Sequence, residues 1–200
     1  MSHHPPPPLG HLAVRFARHG ATAANLAGLR CGGDLDLPLS EVGREQARQL
    51  GQRLAHEAPR HSANAVGLIV TSDLQRTRET AALIADALGG VPVVVLPAWG
   101  ERRLGDWNLR TVFETQTAML AGETPPGGEP DDDFIQRISG AAQDLASLLV
   151  WRPLLVGSRG VARALGQLCH QPGRLALGNG ALCTFDLTAL LRRETEWETS

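Results

Sequence analysis

Residues 12–25 read LAVRFARHGATAAN. Residues 12–17 are mostly apolar and read as a β-strand. The run stops at Arg18-His19-Gly20. Gly20 lets the backbone turn tightly and approach a ligand closely. An arginine beside a histidine at the carboxyl end of a strand suits an anion pocket with a nucleophile or base. Three residues alone are a weak signal, so the chain around them supplies the context.

Strand-like and helix-period segments alternate from there on. Ser40 can cap a helix running to about Ala58, with Ala47, Leu50 and Leu54 on one face and Pro59 beyond its end. Residues 66–70 read as a buried strand. Ser72 or Asp73 caps the next helix, which carries Leu74, Ala81 and Ile84. Residues 91–96 form another strand. Asp131, Asp132 and Asp133 put negative charge at the start of a helix whose Phe134, Ile138, Ala141, Leu145 and Leu148 recur at the helical period. Residues 154–157 form a strand, 161–169 a helix and 181–187 a last strand. This order predicts an α/β fold, a three-layer αβα sandwich around a mostly parallel sheet. Such sheets bind ligands beyond the carboxyl ends of their strands. Arg18 and His19 stand at one such end and Arg76 at the helix start after the second. Glu101 follows the third, and Ser158 and Arg159 follow the fourth.

The chain has 200 residues and a formal net charge of −2, with 42% hydrophobic and 20% charged residues. This predicts one domain, residues 11–200, after a disordered Pro-rich tail at 1–10 that holds four consecutive prolines. All 19 basic residues are arginine. Without lysine there is no side-chain Schiff base and no Walker-A loop. Codon bias accounts for such a composition; so does anion handling, since arginine grips phosphate and carboxylate bidentately. The near-zero net charge argues against nucleic-acid or membrane-surface partners. The longest apolar run, residues 91–99, is interrupted by Pro92 and Pro97 and spans no bilayer. With no apolar signal core at the N-terminus, a soluble cytoplasmic protein is expected. Cys31, Cys169 and Cys183 are odd in number and widely spaced, so they are read as reduced thiols, with neither disulfide nor zinc site.

Taken together, several segments resemble the histidine phosphatase superfamily, the phosphoglycerate-mutase-like fold. They are R-H-G-x-T-x-x-N from Arg18 to Asn25, the stretch Asp36-Leu37-Pro38-Leu39-Ser40-x-x-Gly43-x-x-Gln46-Ala47, and the helix start S-D-L-x-R-T-x-E-T-A from Ser72. The segment Glu101…Gly105-Asp106-Trp107 and the run Pro126-Gly127-Gly128-Glu129 complete the set. The likeness covers roughly residues 12–187. The short segment between Glu101 and Gly157 is similar to the small bacterial phosphatases, whereas phosphoglycerate mutases usually carry a longer insertion there. The resemblance implies a phosphomonoester hydrolase for a small phosphorylated metabolite, with phosphoglycerate mutase as an alternative. It implies that His19 takes the phosphoryl group, that Arg18 and Arg76 clamp phosphate oxygens and that Asn25 donates to them. Glu101 is then the general acid and base. No metal or cofactor is implied, and a homodimer is left open.

One position departs from that pattern. The family normally has a histidine in a segment like S-H-G-G-V-I-R-A-L. Here Gly157-Ser158-Arg159-Gly160-Val161-Ala162-Arg163-Ala164-Leu165 puts Ser158 in its place, with Arg159 next to it. Losing a placed donor to a developing oxyanion costs on the order of 100- to 1,000-fold in rate. The alternatives are a phosphatase with a modified pocket, a non-catalytic phosphate-ester binder, or a substitution engineered to trap a ligand. Ser158 and Arg159 are therefore both candidate phosphate contacts. A serine hydrolase is disfavoured, because Val156 breaks G-x-S-x-G and His170 precedes Asp186. Trp107 and Trp151 are expected to pack, His56 and His61 to be solvated, and Arg102, Arg103 and Arg110 to be surface charge. A minority reading has those three arginines line the pocket mouth and select an anionic leaving group.

Overall fold

The computed structural model describes residues 12–58, 65–171 and 177–192. The tail at 1–10 and His61 lie outside the described residues. Five strands make one sheet: β1 (Ala13–Arg18), β2 (Leu68–Thr71), β3 (Val93–Val95), β4 (Pro153–Gly157) and β5 (Leu182–Asp186). Their order is β3-β2-β4-β1-β5. The first four are mutually parallel, and β5 closes the edge antiparallel to β1. The expected mostly parallel sheet is therefore the architecture, with helices on both faces.

The period of two along each strand sends alternate side chains to opposite layers. Ala17, Ile69, Leu154 and Val156 pack against Leu50 and Leu54 of α2 (Glu41–Glu57) and against Ala81 and Ile84 of α3 (Gln75–Ala87). Val14, Phe16, Val70 and Leu155 pack on the other face. They meet Phe134 and Ile138 of α5 (Asp131–Leu145) and Val161 and Leu165 of α6 (Arg159–Leu168). Fully burying one such Leu, Ile or Phe stabilises by about 1.5–3 kcal/mol. Among the described residues no helix is long and apolar enough to cross a membrane.

β4 inserts between β2 and β1, and this placement builds the site. Arg18 stands opposite Gly157, and Thr71 opposite Val156. Segments far apart in the chain thus end side by side at one edge.

Three local details differ from the sequence expectation. Helix α3 has no side-chain cap of its own; its first amide, Gln75 N, donates to Asp36 Oδ1 at 2.7 Å, and Ser72 Oγ instead pairs with Thr77 Oγ1 at 2.7 Å. A residue 39 positions upstream does the capping, which local spacing cannot reveal. Helix α5 ends at Leu145 and tightens into a 3-10 segment, Ala146–Trp151, before Arg152 turns to positive φ. That segment leaves Trp151 59% exposed, so the packing expectation holds for Trp107 and fails for Trp151.

Two short helices flank the first crossover and the chain end, α1 (Ala23–Leu26) and α7 (Thr188–Arg192). A third, α4 (Val112–Leu120), was not expected. Its signature was present in the chain: Thr111-x-x-Glu114 is a capping box. Thr111 Oγ1 accepts from Glu114 N at 3.1 Å, and Glu114 Oε2 accepts from Thr111 N at 2.8 Å.

Candidate active site

At the carboxyl edge of the sheet a cleft of about 350 Å³ opens between β1, α6 and α4. His19 lines it. The residue is only 3% exposed, and its backbone N donates to Gly157 O at 2.9 Å. Nδ1 lies 2.7 Å from Gly20 O. A carbonyl oxygen can only accept, so Nδ1 carries the proton and the lone pair of a neutral ring stays on Nε2. Burial, then the charge of Arg76, pushes the imidazole down to about 3 from its ordinary 6.5; the Gly20 bond opposes this and Arg18 adds to it. The ring is therefore neutral at physiological pH, as a nucleophile must be.

That shift has a thermodynamic consequence. The unfolded chain takes up the proton near pH 6.5 and the folded one only near 3. Between these values the unfolded state binds more protons, so stability falls as pH drops, by up to about 1.4 kcal/mol per unit from this one group. We expect the stability difference between wild type and His19→Asn to move by about 2 kcal/mol against wild type from pH 7 to pH 5. Urea melts at both pH values measure it; parallel pH slopes would contradict a neutral buried His19.

Gly20 serves packing and not a left-handed turn. A Cβ there would lie 2.1 Å from Gly43 O, so the strand end meets the start of α2 backbone to backbone. Ser40 caps α2, its Oγ accepting from Gly43 N at 3.1 Å, which sets that contact.

Arg18 lines the cleft and donates Nη1 to Leu177 O at 2.8 Å, while its Nε is buried without a partner. Burial and the nearby Arg159 pull its guanidinium down to about 10, with Glu101 opposing. Asn25 also lines the cleft. Its Oδ1 accepts from Thr22 N at 3.1 Å and from Asn179 Nδ2 at 3.2 Å, so its own NH2 is the end left for a ligand. Asn179 also donates to His19 O at 3.0 Å.

Glu101 enters from the loop after β3. Its Oε1 accepts from Arg102 N at 2.7 Å and its Oε2 from Gly160 N at 2.8 Å, in the first turn of α6. A Cβ at Gly160 would sit 1.9 Å from Oε1, so only glycine admits the carboxylate here. Each oxygen retains a further lone pair. Arginine ion pairs hold the loop. Arg137, bound to Glu129 at 2.8 Å, donates Nη1 to Ala98 O at 2.9 Å and to Gly100 O at 3.0 Å. Arg102 Nε donates to Glu129 O at 2.8 Å, and its Nη1 pairs with Asp131 Oδ1 at 3.0 Å.

Not every expected residue reaches the cleft. Arg76 is fully buried and absent from its lining; Nη1 donates to Leu35 O at 2.9 Å and Nη2 to Gly32 O at 3.0 Å. It ties down the loop before α2 and supplies charge beneath His19. Ser158 is likewise buried and outside the lining, its Oγ without a partner, whereas Arg159 is exposed and lines the cleft. Four of the six partnerless buried side-chain atoms among the described residues belong to Arg18, Thr71, Arg76 and Ser158, at or just beyond the strand ends around His19.

Sequence reasoning missed Arg30 and Arg163, which line the cleft, and the α4 side chains that wall it. The surface-charge reading fails for Arg102, which is 2% exposed and lines the cleft as the minority reading has it, and holds for Arg103 and Arg110, which are exposed and do not line it. Cys31 lines the cleft too, and burial raises its thiol. Among the described residues no group of three or more His, Cys, Asp or Glu could hold a metal ion.

Comparison with known proteins gives a consistent picture. The "Probable phosphoglycerate mutase GpmB" of Photorhabdus laumondii is 34% identical over 192 residues, covering 88% of this chain and 85% of that protein. The solved structure of "Mycobacterial hydrolase 1" superposes with a TM-score of 0.71 at 30% identity, over 86% of this chain and 87% of its own. A mycobacterial glucosyl-3-phosphoglycerate phosphatase in complex with VO3 gives 0.70 at 28% identity, over 86% and 90%. The family model for the histidine phosphatase superfamily (branch 1) matches residues 14–199, and the chain belongs to that superfamily of phosphatases and mutases.

Proposed function

We propose that this protein hydrolyses small phosphomonoesters through a phosphohistidine at His19. The observation that carries the reading is the neutral His19, its Nδ1 committed to Gly20 O, in one cleft with Arg18, Asn25 and Glu101. Nε2 attacks phosphorus and the bond to the leaving oxygen breaks. That oxygen takes a proton from the Glu101 carboxyl. Water then attacks the phosphoryl group, giving its proton to the Glu101 carboxylate, and orthophosphate leaves as the P–N bond breaks. Arg18 and Asn25 offset charge on the transferring oxygens, and Arg76 adds a fixed positive charge from beneath. Hydrolysis is favoured over mutase chemistry by the short stretch between Glu101 and Gly157.

A second reading is a phosphate-ester binder without turnover. It is supported by Ser158, which stands where the resemblance calls for a histidine and whose buried Oγ lies outside the cleft lining. The deciding experiment screens wild type and Ser158→His against a panel of phosphomonoesters. We expect activity in both, with turnover at least tenfold higher in the variant, about 1.4 kcal/mol of transition-state stabilisation. Activity in the variant alone would establish the binder.

A further inference from the structure

β5 runs antiparallel to β1, with Leu182 opposite Ala17. The start of β5 therefore lies at the carboxyl end of β1, and the residues just before it arrive at the active-site edge. Residues 177–181 read Leu-Gly-Asn-Gly-Ala, and they wrap the backbone of Arg18 and His19. Ala181 O accepts from Arg18 N at 3.0 Å, and Gly180 N donates to Arg18 O at 3.1 Å. Leu177 O accepts from Arg18 Nη1 at 2.8 Å.

Asn179 is the side chain of this segment that reaches inward. Its Nδ2 donates to His19 O at 3.0 Å and to Asn25 Oδ1 at 3.2 Å, across 160 and 154 positions of chain. His19 O can only accept, so the NH2 of Asn179 is the end that faces it. Thr22 N can only donate, and it lies 3.1 Å from Asn25 Oδ1. Two backbone groups of opposite kind thus fix the orientation of both amides. Asn25 Oδ1 has its two lone pairs taken, and its NH2 is left for the cleft that Asn25 lines. If the Asn25 amide were reversed, its NH2 would face two donors and its carbonyl oxygen would face an incoming anion.

We propose that Asn179 is a positioning residue for phosphate recognition. It locks Asn25 in the orientation that donates to phosphoryl oxygens. Asn179 itself touches no substrate and takes part in no bond change. The role rests on the cleft being a phosphate site, which the hydrolase and binder readings share.

Affinity for inorganic phosphate, read by calorimetry, tests the lock without turnover. Asn179→Ala and Asn179→Asp are each made in wild type and in Asn25→Ala. Asn25→Ala alone should weaken phosphate by about 10-fold or more, the scale of a hydrogen bond to a charged group. Asn179→Ala should weaken it by about 3- to 10-fold, because Thr22 N still holds Oδ1. Asn179→Asp puts an acceptor against Oδ1, so Asn25 turns its NH2 away from the ligand, and the loss should reach that of Asn25→Ala. In the Asn25→Ala background, Asn179→Ala should cost less than about twofold, and Asn179→Asp clearly less than it costs in wild type. Losses of the same size in both backgrounds would overturn the lock, and so would no loss on Asn179→Ala. The backbone bonds of Leu177, Gly180 and Ala181 survive both substitutions, so the segment should stay in place. Thermal melts check this, and a loss of affinity that follows melting temperature regardless of Asn25 would assign Asn179 to structure alone. Wild type that binds no phosphate would sink the phosphate-site reading and the lock together. Phosphate binding with additive losses would sink the lock alone.

Discussion

An aryl phosphate should leave an acid-labile phosphoryl group on His19, and His19→Ala should abolish both the label and turnover. Removing a covalent nucleophile costs about 10³-fold or more. Two features make His19 the site of attack. Its Nδ1 is committed to Gly20 O at 2.7 Å, leaving Nε2 as the free nitrogen, and burial keeps the ring neutral. The alanine variant should fold, because it removes a buried polar ring with a single side-chain hydrogen bond. Quenched labelling, with stability to acid and to base compared, reads the result. Acid-labile label persisting in His19→Ala would refute the assignment, and a base-labile, acid-stable ester would point to Ser158.

Glu101→Gln should be the next most damaging change, with an effect that depends on the leaving group. General acid catalysis contributes about 10²- to 10⁴-fold, so alkyl phosphates should lose about that much. A nitrophenyl ester, whose oxygen departs without a proton, should lose less than about tenfold in its first step. The carboxylate accepts from Arg102 N and Gly160 N, one on each oxygen. A glutamine must turn its NH2 toward one of these donors, so some of the loss comes from displacement. Arg137→Gln separates the two causes. It keeps Glu101 but removes the donors to Ala98 O and Gly100 O, so it should show a weaker version of the same leaving-group dependence. Pre-steady-state release of the alcohol or nitrophenol, which reports the first step, is the measurement with both ester types. Equal losses on alkyl and nitrophenyl esters would remove Glu101 from the role of acid.

Much of this was legible in the chain because it is local. The periods of two and 3.6 mark buried faces directly, so Leu50, Leu54, Ile138 and Leu145 could be assigned to the core one by one. R-H-G after a strand is a local pattern, and so is the Ser40 cap. The α4 capping box was local too, and Thr111-x-x-Glu114 could have been read.

Other features depend on what lies across the fold. Arg102 and Arg103 are neighbours of the same type. One is buried against Glu129 O and Asp131, and the other is exposed. Nothing in their local sequence separates them, because the partners lie 27 and 29 positions away. Arg76 follows the same rule. Its place at a helix start suggests a direct phosphate clamp, but the carbonyls of Gly32 and Leu35 claim its Nη atoms and keep it beneath the cleft.

By itself the sequence determined the α/β class, the strand ends and the residue types gathered there, since periodicity and short motifs need only near neighbours. The tertiary structure alone decided which arginines reach the cleft, which lie beneath it and which stay unpaired. A guanidinium's role depends on the carboxylates and carbonyls beside it, and those are brought there by the insertion of β4 between β2 and β1 and by the placing of α4 over the strand ends.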